Sequence, residues 1–542
     1  MAIDEIKKER IKKLERIQKA GEQAYPASVK RTHTAAEAVA DFGKLSKAEK
    51  EVILVGRIRA IRGHGGSTFL TLEDGTSSIQ AYVKKDRVGE QAYDSFLETF
   101  DIGDFIQARG ILFTTKKGEK TLEVADYKML AKSLLPLPDK WHGLQDEEER
   151  YRKRYLDLIF NKEVRERFEK RATIVAAIRE FLDKKGFLEV ETPVLQSIYG
   201  GADAEPFTTH LNAFNLDMYL RISLELPLKR LIVGGFEKVY EMGRVFRNEG
   251  VDRQHNPDFT LLEFYWAYAD YKDMMKLIEE FVPAIVRKAT GSNEIIYEGK
   301  KISFKAPWPR VEYSELFRKH LKLDIDSLNR DALANEAKKL GVEIEKAMDK
   351  AHITDALYKK GIRPKLWEPQ FIIHHPTEMK PLAKVRTEDP TKAESFQLLV
   401  GGGWELMNGW SEQNDPAVQK KVFEEQESLF RKGLEDAQRM DVDYIEALEY
   451  GMPPTAGVGM GIDRLAALLA NTHSLREVIL FPTMRPKVQD QIDAAKRMLG
   501  QQSKTLEEQV AKTQQKLSSI PESKKRDREQ QIKAAKRLQS NN

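Results

Sequence analysis

Residues 236 to 266, FEKVYEMGRVFRNEGVDRQHNPDFTLLEFYW, constrain this chain more than any other stretch. Val239, Val245 and Phe246 lead in, the polar run from Asn248 to Pro257 is one no strand adopts, and Phe259 to Trp266 lead out. The spacing predicts a long hairpin around a polar excursion. On the return arm, alternation puts Phe259, Leu261, Glu263 and Tyr265 on one face and Leu262, Phe264 and Trp266 on the other. One face is apolar; the other carries a carboxylate beside two aromatic rings. The outgoing arm ends in Arg244 and Arg247, and the loop adds Glu249, Arg253, His255 and Asn256. A planar, permanently charged guanidinium suits a phosphate, and a nearby carboxylate and ring suit a base by hydrogen bonding and stacking. Solvated charges on a surface hairpin are the other reading of the same residues.

The chain of 542 residues is long enough for several domains and a large core. It contains no cysteine, which excludes disulfides and thiolate zinc sites and fits a reducing compartment. The N-terminus is charged throughout, and no run approaches the roughly 18 apolar residues of a membrane helix. A soluble, cytoplasmic protein with no membrane segment is therefore expected. The net charge is +4, with the surplus of base concentrated from Lys487 to the end, where a polyanionic partner would feel it.

In chain order, Ile3, Ile6, Ile11, Leu14 and Ile17 mark an amphipathic helix with a basic face, suited either to packing on its own protein or to RNA. Residues 51 to 135 become short β runs separated by Gly, Asp and Lys turns, which fits a five-stranded closed barrel of the OB type. Such a barrel either lays single-stranded nucleic acid across one face or serves without a ligand. Ile174, Ile178, Phe181 and Leu182 predict a helix stopped by Gly186 and followed by the strand FLEVETPVL. Gly200 and Gly201 permit close backbone approach to a ligand. Glu225 is read inside an apolar strand, where its carboxylate needs a partner: a bound ammonium, or an internal bridge to Lys229 or Arg230. Residues 313 to about 364 read as a charged helical insertion without chemistry. Beyond it, SFQLLVGGGWELMNGWSE predicts a hairpin turning at Gly401 to Gly403, with Asn408, Trp410 and Glu412 on one face; Glu405 lies on the other parity and needs a bulge to join them. AGVGMGIDRLAALLA is a glycine-rich strand entering a helix, with Arg464 in its first turn, where a cation opposes the helix dipole unless an anion is near. The tail has an internal echo, QIDAAKRM and QIKAAKRL, and a heptad-like series Leu506, Val510, Leu517 and Ile520, which predict paired helices docked on the protein or binding RNA.

FRNEG followed by HNPDFTLLEFYWAYADY resembles the second signature motif of class II aminoacyl-tRNA synthetases, specifically of lysyl-tRNA synthetases. FLEVETPVL is similar to the first motif, whose strand builds a dimer interface, and GMGIDRL to the third, whose arginine binds ATP. The β runs at 51 to 135, followed by LPLPDKWHGLQDEEERYRKRYLDL, resemble the anticodon-binding domain and linker of that family. The resemblance implies an α+β chain: an N-terminal helical extension (1–47), an OB-fold anticodon-binding β-barrel (48–137), a class II catalytic domain on an antiparallel sheet flanked by helices (138–486), and a basic helical C-terminal tail (487–542). It implies ATP-dependent attachment of L-lysine to tRNA(Lys) through lysyl-adenylate, by a homodimer using Mg2+.

Carried over residue by residue, the resemblance makes Arg247 and Arg464 the catalytic cations. Glu249 and Phe259 hold the adenine, and His255 and Asn256 contact the nucleotide. Gly201, Glu225 and Glu263 hold the α-ammonium of lysine, Tyr265 and Glu412 its ε-ammonium, with Asn408 and Trp410 completing the pocket. Glu405 and Gln397 are the magnesium ligands. Phe69, Gln80 and Glu119 read the anticodon. The sequence departs from the common bacterial pattern at Gln397, where a Glu is usual, in an extra turn glycine, at Trp410, where a smaller aromatic is usual, and at Arg253, two residues before His255; the magnesium count stays open. Three carboxylates suit a ligand bearing two ammonium groups, whereas an aspartyl or asparaginyl enzyme would need a cation in the pocket. A non-catalytic RNA-binding paralogue and a protein-modifying lysine ligase are the remaining alternatives.

Overall fold

The computed structural model describes residues 3–138, 146–344, 348–431 and 439–487. The tail expected over 487–542 lies, beyond Lys487, outside the described residues. The chain divides into two compact units, Met1–Gln145 and Asp146–Asn542.

In the first unit, β1 (Val52–His64), β2 (Ser67–Glu73), β3 (Ser78–Lys84), β4 (Phe105–Thr114) and β5 (Lys120–Ala131) close a barrel in the order β1-β2-β3-β5-β4. Alternation on β1, β2 and β3 builds its core: Val52, Leu54, Ile58, Leu70, Leu72, Ile79, Ala81 and Val83 point inward and are buried. The helix α1 (Ile3–Lys19) packs on this barrel, with Ile17 in its core and Arg10 donating to the carbonyls of Ile102, Ser133 and Leu135. Of the two readings of the basic helix, packing on its own unit is the one the structure adopts.

In the second unit, eight strands form one sheet. In chain order they are β6 (Leu188–Glu189), β7 (Lys238–Phe246), β8 (Asp258–Ala267), β9 (Arg310–Glu312), β10 (Gln370–Ile373), β11 (Ser395–Val400), β12 (Trp404–Ser411) and β13 (Thr455–Gly461). In space they run β9-β10-β11-β12-β13-β8-β7-β6, antiparallel except at the two edge pairs, β9 with β10 and β6 with β7. The apolar face of β8, Leu262 and Phe264, packs against α2 (Lys162–Lys184) and α4 (Tyr271–Thr290) in the main core. The hairpin β7–β8 is as long as its sequence suggests, with nine consecutive residue pairs from Lys238–Trp266 to Phe246–Asp258.

Two sequence expectations change. The stretch around Glu225 is the helix α3 (Glu225–Val233) rather than a strand: Leu224, Leu228 and Ile232 recur at intervals of four and bury one face. FLEVETPVL pairs as a strand only at β6 and again at Leu195–Gln196. Between them Pro193 lacks a donor, and Thr192 gives its N–H and hydroxyl to Glu241 instead of to a strand. The insertion is helical as expected, as α5 (Tyr313–His320), α6 (Arg330–Lys339) and α7 (Lys350–Gly361) around their own small core. The β11–β12 turn holds Gly401, Gly402 and Gly403 at φ of 62°, 76° and 111°, a run of left-handed residues that only glycine adopts without strain.

The tightest approach in the barrel is at Gly110, where a Cβ would lie 1.8 Å from the carbonyl oxygen of Glu123. Gly110→Ala is expected to cost about 1–3 kcal/mol or more in forcing β4 from β5, read as a lowered melting temperature; an unchanged melt would show that the strands part freely there.

Candidate active site

A cavity of about 530 Å³ lies on the face of the sheet opposite the main core. Its floor is β8, and Phe259, Leu261, Glu263 and Tyr265 all line it, as their shared parity requires. Two strands along the sheet, beyond β13, β12 carries the bulge that Glu405 needs. Gln397 pairs with Asn408 and Leu398 with Met407, but Leu399 pairs with Glu405, so Leu406 is the additional residue. That extra residue brings Glu405 to the side of Asn408 and Trp410, and all three line the cavity. On β13, Gly457 is obligatory: a Cβ there would meet Glu412 Oε1 at 2.2 Å and the Tyr265 ring at 2.4 Å. Gly201, at φ +83°, presses its α-carbon toward Ser223 and Glu225, leaving only 2.8 Å between a would-be Cβ and Ser223 Oγ.

One end of the cavity is acidic. Glu225 opens α3, and Lys229, one turn later, reaches back to it at 2.5 Å while also pairing with Glu412. The internal bridge read for Glu225 is therefore present, and it leaves the carboxylate on the cavity wall, where a ligand ammonium can still reach it. Lys229 is fully buried and stands behind the wall rather than in the cavity. Glu263 has no such cation among the described residues: Ser223 Oγ (2.8 Å), the Leu224 N–H (3.1 Å) and Tyr265 OH (2.9 Å) donate to it. Trp410 Nε1 donates to Glu412 Oε2 at 2.8 Å, and Glu412 Oε1 is buried without a hydrogen-bond partner. Three carboxylates therefore share one internal ammonium, so part of the acidity that the sequence suggests is already met inside the protein. Burial, reinforced by neighbouring Glu225, raises the Glu263 carboxyl to about 7. Burial likewise outweighs Lys229 and raises Glu412 to about 8.

The other end is cationic. Arg247 is held by the Ile222 carbonyl (3.3 Å) and lies over the Phe259 ring, 5.2 Å from its centroid. Arg464, in the first turn of α8 (Ile462–Leu469), donates to the Glu405 carbonyl at 3.2 Å. Burial would raise the Glu405 carboxyl, but Arg363, Arg464 and Lys380 outweigh it and hold the group below the usual carboxylate range. Glu249, His255 and Asn256 also line the cavity. His255 pairs with Asp252 at 2.9 Å. Asn256 gives its amide to Asp258 and accepts from the Thr483 N–H, so its side chain secures the loop.

A family model described as tRNA synthetases class II (D, K and N) matches residues 146–485, and one described as an OB-fold nucleic acid binding domain matches 52–130. The chain belongs to the class II tRNA synthetases. Similar proteins include lysine–tRNA ligases from three bacteria. That of Moorella thermoacetica is 47% identical over 88% of this chain and 97% of its own. That of Carboxydothermus hydrogenoformans is 48% identical over 90% and 99%. That of Thermotoga maritima is 45% identical over 90% and 97%.

In this synthetase Gln397 is not among the residues that line the cavity. It accepts from Tyr358 OH at 3.3 Å beneath the insertion. Among the described residues no group of three or more His, Asp or Glu is arranged to hold a metal ion. The insertion, read as free of chemistry, supplies His352, Asp355 and Lys359 to the cavity wall, and the segment before β11 supplies Lys380. No periodicity marks these residues; only the glycine run around Gly457 carried a signal. In the barrel unit, Phe69 and Tyr82 project outward from paired positions on β2 and β3 and stack with ring centroids 4.6 Å apart. Gln80 shares that surface two residues from Tyr82 and accepts from Thr121 at 3.4 Å, and Glu119 lies exposed in the β4–β5 turn.

An ammonium ligand pairs only with the ionised forms of Glu263 and Glu412, so its binding below their titration must release protons. Affinity for free lysine is therefore expected to rise from pH 6 to 8, by up to about tenfold per unit for each titrating group. Calorimetry in buffers of different ionisation enthalpy would register the release; affinity that is flat across this range would contradict the assignment.

Proposed function

We propose that this synthetase attaches L-lysine to tRNA(Lys) with ATP, through lysyl-adenylate. The observation that carries the reading is the polarity of a single cavity: Glu225, Glu263 and Glu412 at one end, Arg247 and Arg464 at the other. A dicationic amino acid fits the first and a triphosphate the second. Gly201, Glu225 and Glu263 bind the α-ammonium. Glu412, with an acceptor oxygen still unpartnered, and Tyr265 take the ε-ammonium, while Asn408 and Trp410 complete the wall. Phe259 stacks the adenine, Glu249 bonds its edge, and His255 and Asn256 border the nucleotide.

In the first step a lysine carboxylate oxygen attacks the α-phosphate, and pyrophosphate leaves with the electron pair of the broken bond. No protein nucleophile is required; Arg247 and Arg464 align the anions and neutralise charge developing between them. The terminal ribose hydroxyl of tRNA then takes the lysyl group from the adenylate.

Magnesium fits this cavity through one protein carboxylate. Glu405 is held ionised chiefly by Arg363, 3.7 Å from its carboxylate, and then by Arg464, and a magnesium ion commonly combines one or two carboxylates with substrate phosphates. When bound it would offset triphosphate charge. Gln397, engaged by Tyr358, is not a second anchor.

Phe69, Tyr82 and Gln80 form the aromatic and polar surface on which anticodon bases stack and are read, with Glu119 at its margin. A homodimer is supported by an apolar surface along the first-motif region: Leu188, Val194, Leu195, Ile198, Phe214 and Leu216 are all exposed. No described helix is long and apolar enough to cross a membrane, and we assign the enzyme to the cytoplasm with its tRNA.

Pyrophosphate exchange assayed with each of the twenty amino acids is expected to respond to lysine; exchange with aspartate or asparagine in its place would overturn the reading. Phe69→Ala is expected to raise KM for tRNA(Lys) about 5- to 100-fold, the worth of one stacked base. Exchange without tRNA should be untouched, and an unaltered KM would remove Phe69 from the anticodon surface.

A further inference from the structure

One ammonium inside the cavity has no part in the scheme above. Lys380 is buried, and its Nζ lies 3.0 Å from Asn408 Oδ1 and 5.4 Å from the centroid of the Trp410 ring. Its principal electrostatic neighbours are Glu405, Asp355, Asp203 and Glu225. These carboxylates come from both ends of the cavity, so Lys380 stands between the acidic end and the arginine end. Among the described residues it forms no ion pair within 4.0 Å. A buried ammonium with one neutral acceptor and an aromatic face keeps an unmet demand for an anion. The middle of this cavity is where the carboxylate of an amino acid bound at Glu225 and Glu263 meets the α-phosphate of a nucleotide held by Arg247 and Arg464.

Building on the lysine-activating reading, we propose that Lys380 is a further catalytic residue for adenylate formation, its ammonium contacting the substrate carboxylate and the α-phosphate oxygens where they join. In that step one carbon-bound carboxylate oxygen forms a bond to phosphorus, and the bond from phosphorus to the bridging oxygen of pyrophosphate breaks. The electron pair leaves on pyrophosphate and no proton moves, so the ammonium acts by charge alone. Asn408 and the Trp410 ring hold it in place before substrate arrives, which is when a fixed charge is most effective. Lys380 and Gln397 are then two aspects of one arrangement. Gln397, read from the sequence as a second magnesium ligand, is neutral and turned to Tyr358, and a lysine of the chain supplies positive charge at the reacting centre instead.

The experiment uses the full chain with Lys380→Met and Lys380→Arg. Lysine-dependent pyrophosphate exchange is followed across a series of free Mg2+ concentrations, and binding of lysine and of lysinamide is measured by calorimetry without nucleotide or metal. Lys380→Met is expected to lower kcat for exchange about 10²- to 10³-fold, with partial recovery at higher Mg2+ and more complete retention in Lys380→Arg. It should also shrink the preference for lysine over lysinamide about tenfold, the scale of one charge-assisted contact, an effect that a merely structural role would not produce. If the Met variant does not fold, Lys380→Gln carries the same expectations. A folded variant that exchanges at the rate of the unaltered protein, or that slows while keeping its preference for the carboxylate, overturns the proposal. Absence of lysine-dependent exchange in the unaltered protein would instead remove the reading on which it rests.

Discussion

The active site depends first on the Lys229 ammonium, which sits between the carboxylates of Glu225 and Glu412 with none of its surface exposed. Burying any of these three charges alone is unfavourable by several kcal/mol, and an ammonium shared by two carboxylates recovers much of that cost only if the geometry is tight. The bridge also ties α3, at one wall, to the residue just past β12, at another. The Tyr444 ring, 5.9 Å from the ammonium, covers it on a further side. An acidic pocket is thereby assembled before any ligand arrives, with enough charge withheld that the empty cavity stays stable and enough left over to select an amine.

The sheet supplies the second constraint. Alternation on β8 delivers two aromatic rings and a carboxylate to the cavity and two large apolar residues to the core, so the same two-residue period builds site and fold together. The bulge at Leu406 overrides that alternation at one place, sending Glu405 to the cavity beside Asn408 and Trp410. Gly457 keeps the adjacent strand thin enough for Tyr265 and Glu412 to lie flat against it. Glu263 and Arg464 therefore stand toward opposite ends of one cavity, because β8 and α8 each contribute at a set register.

Much of this was legible because it is local. The barrel strands, the hairpin at 236–266, the glycine turn at 401–403 and the need for a bulge before Glu405 follow from spacing within a few residues. The residues named from the motifs converge on one cavity: Gly201, Glu225, Arg247, Glu249, Phe259, Glu263, Tyr265, Glu405, Asn408, Trp410, Glu412 and Arg464 all line it. Local reasoning failed at α3, where a stretch of leucines reads equally as strand or helix. It failed again at α7, whose ordinary charged surface contains His352, Asp355 and Lys359.

By itself the sequence determined the family, the barrel, the antiparallel sheet and the charged groups that lie within its motifs, because periodicity and short motifs are properties of neighbouring residues. Only the tertiary structure decided which charges cancel and which remain. Lys229 meets Glu412 across 183 positions of chain, Gln397 turns to Tyr358, and Lys380 enters the cavity from a segment with no pattern of its own. Such pairings are settled by how distant segments pack and how much water they exclude, and neither quantity is written in local spacing.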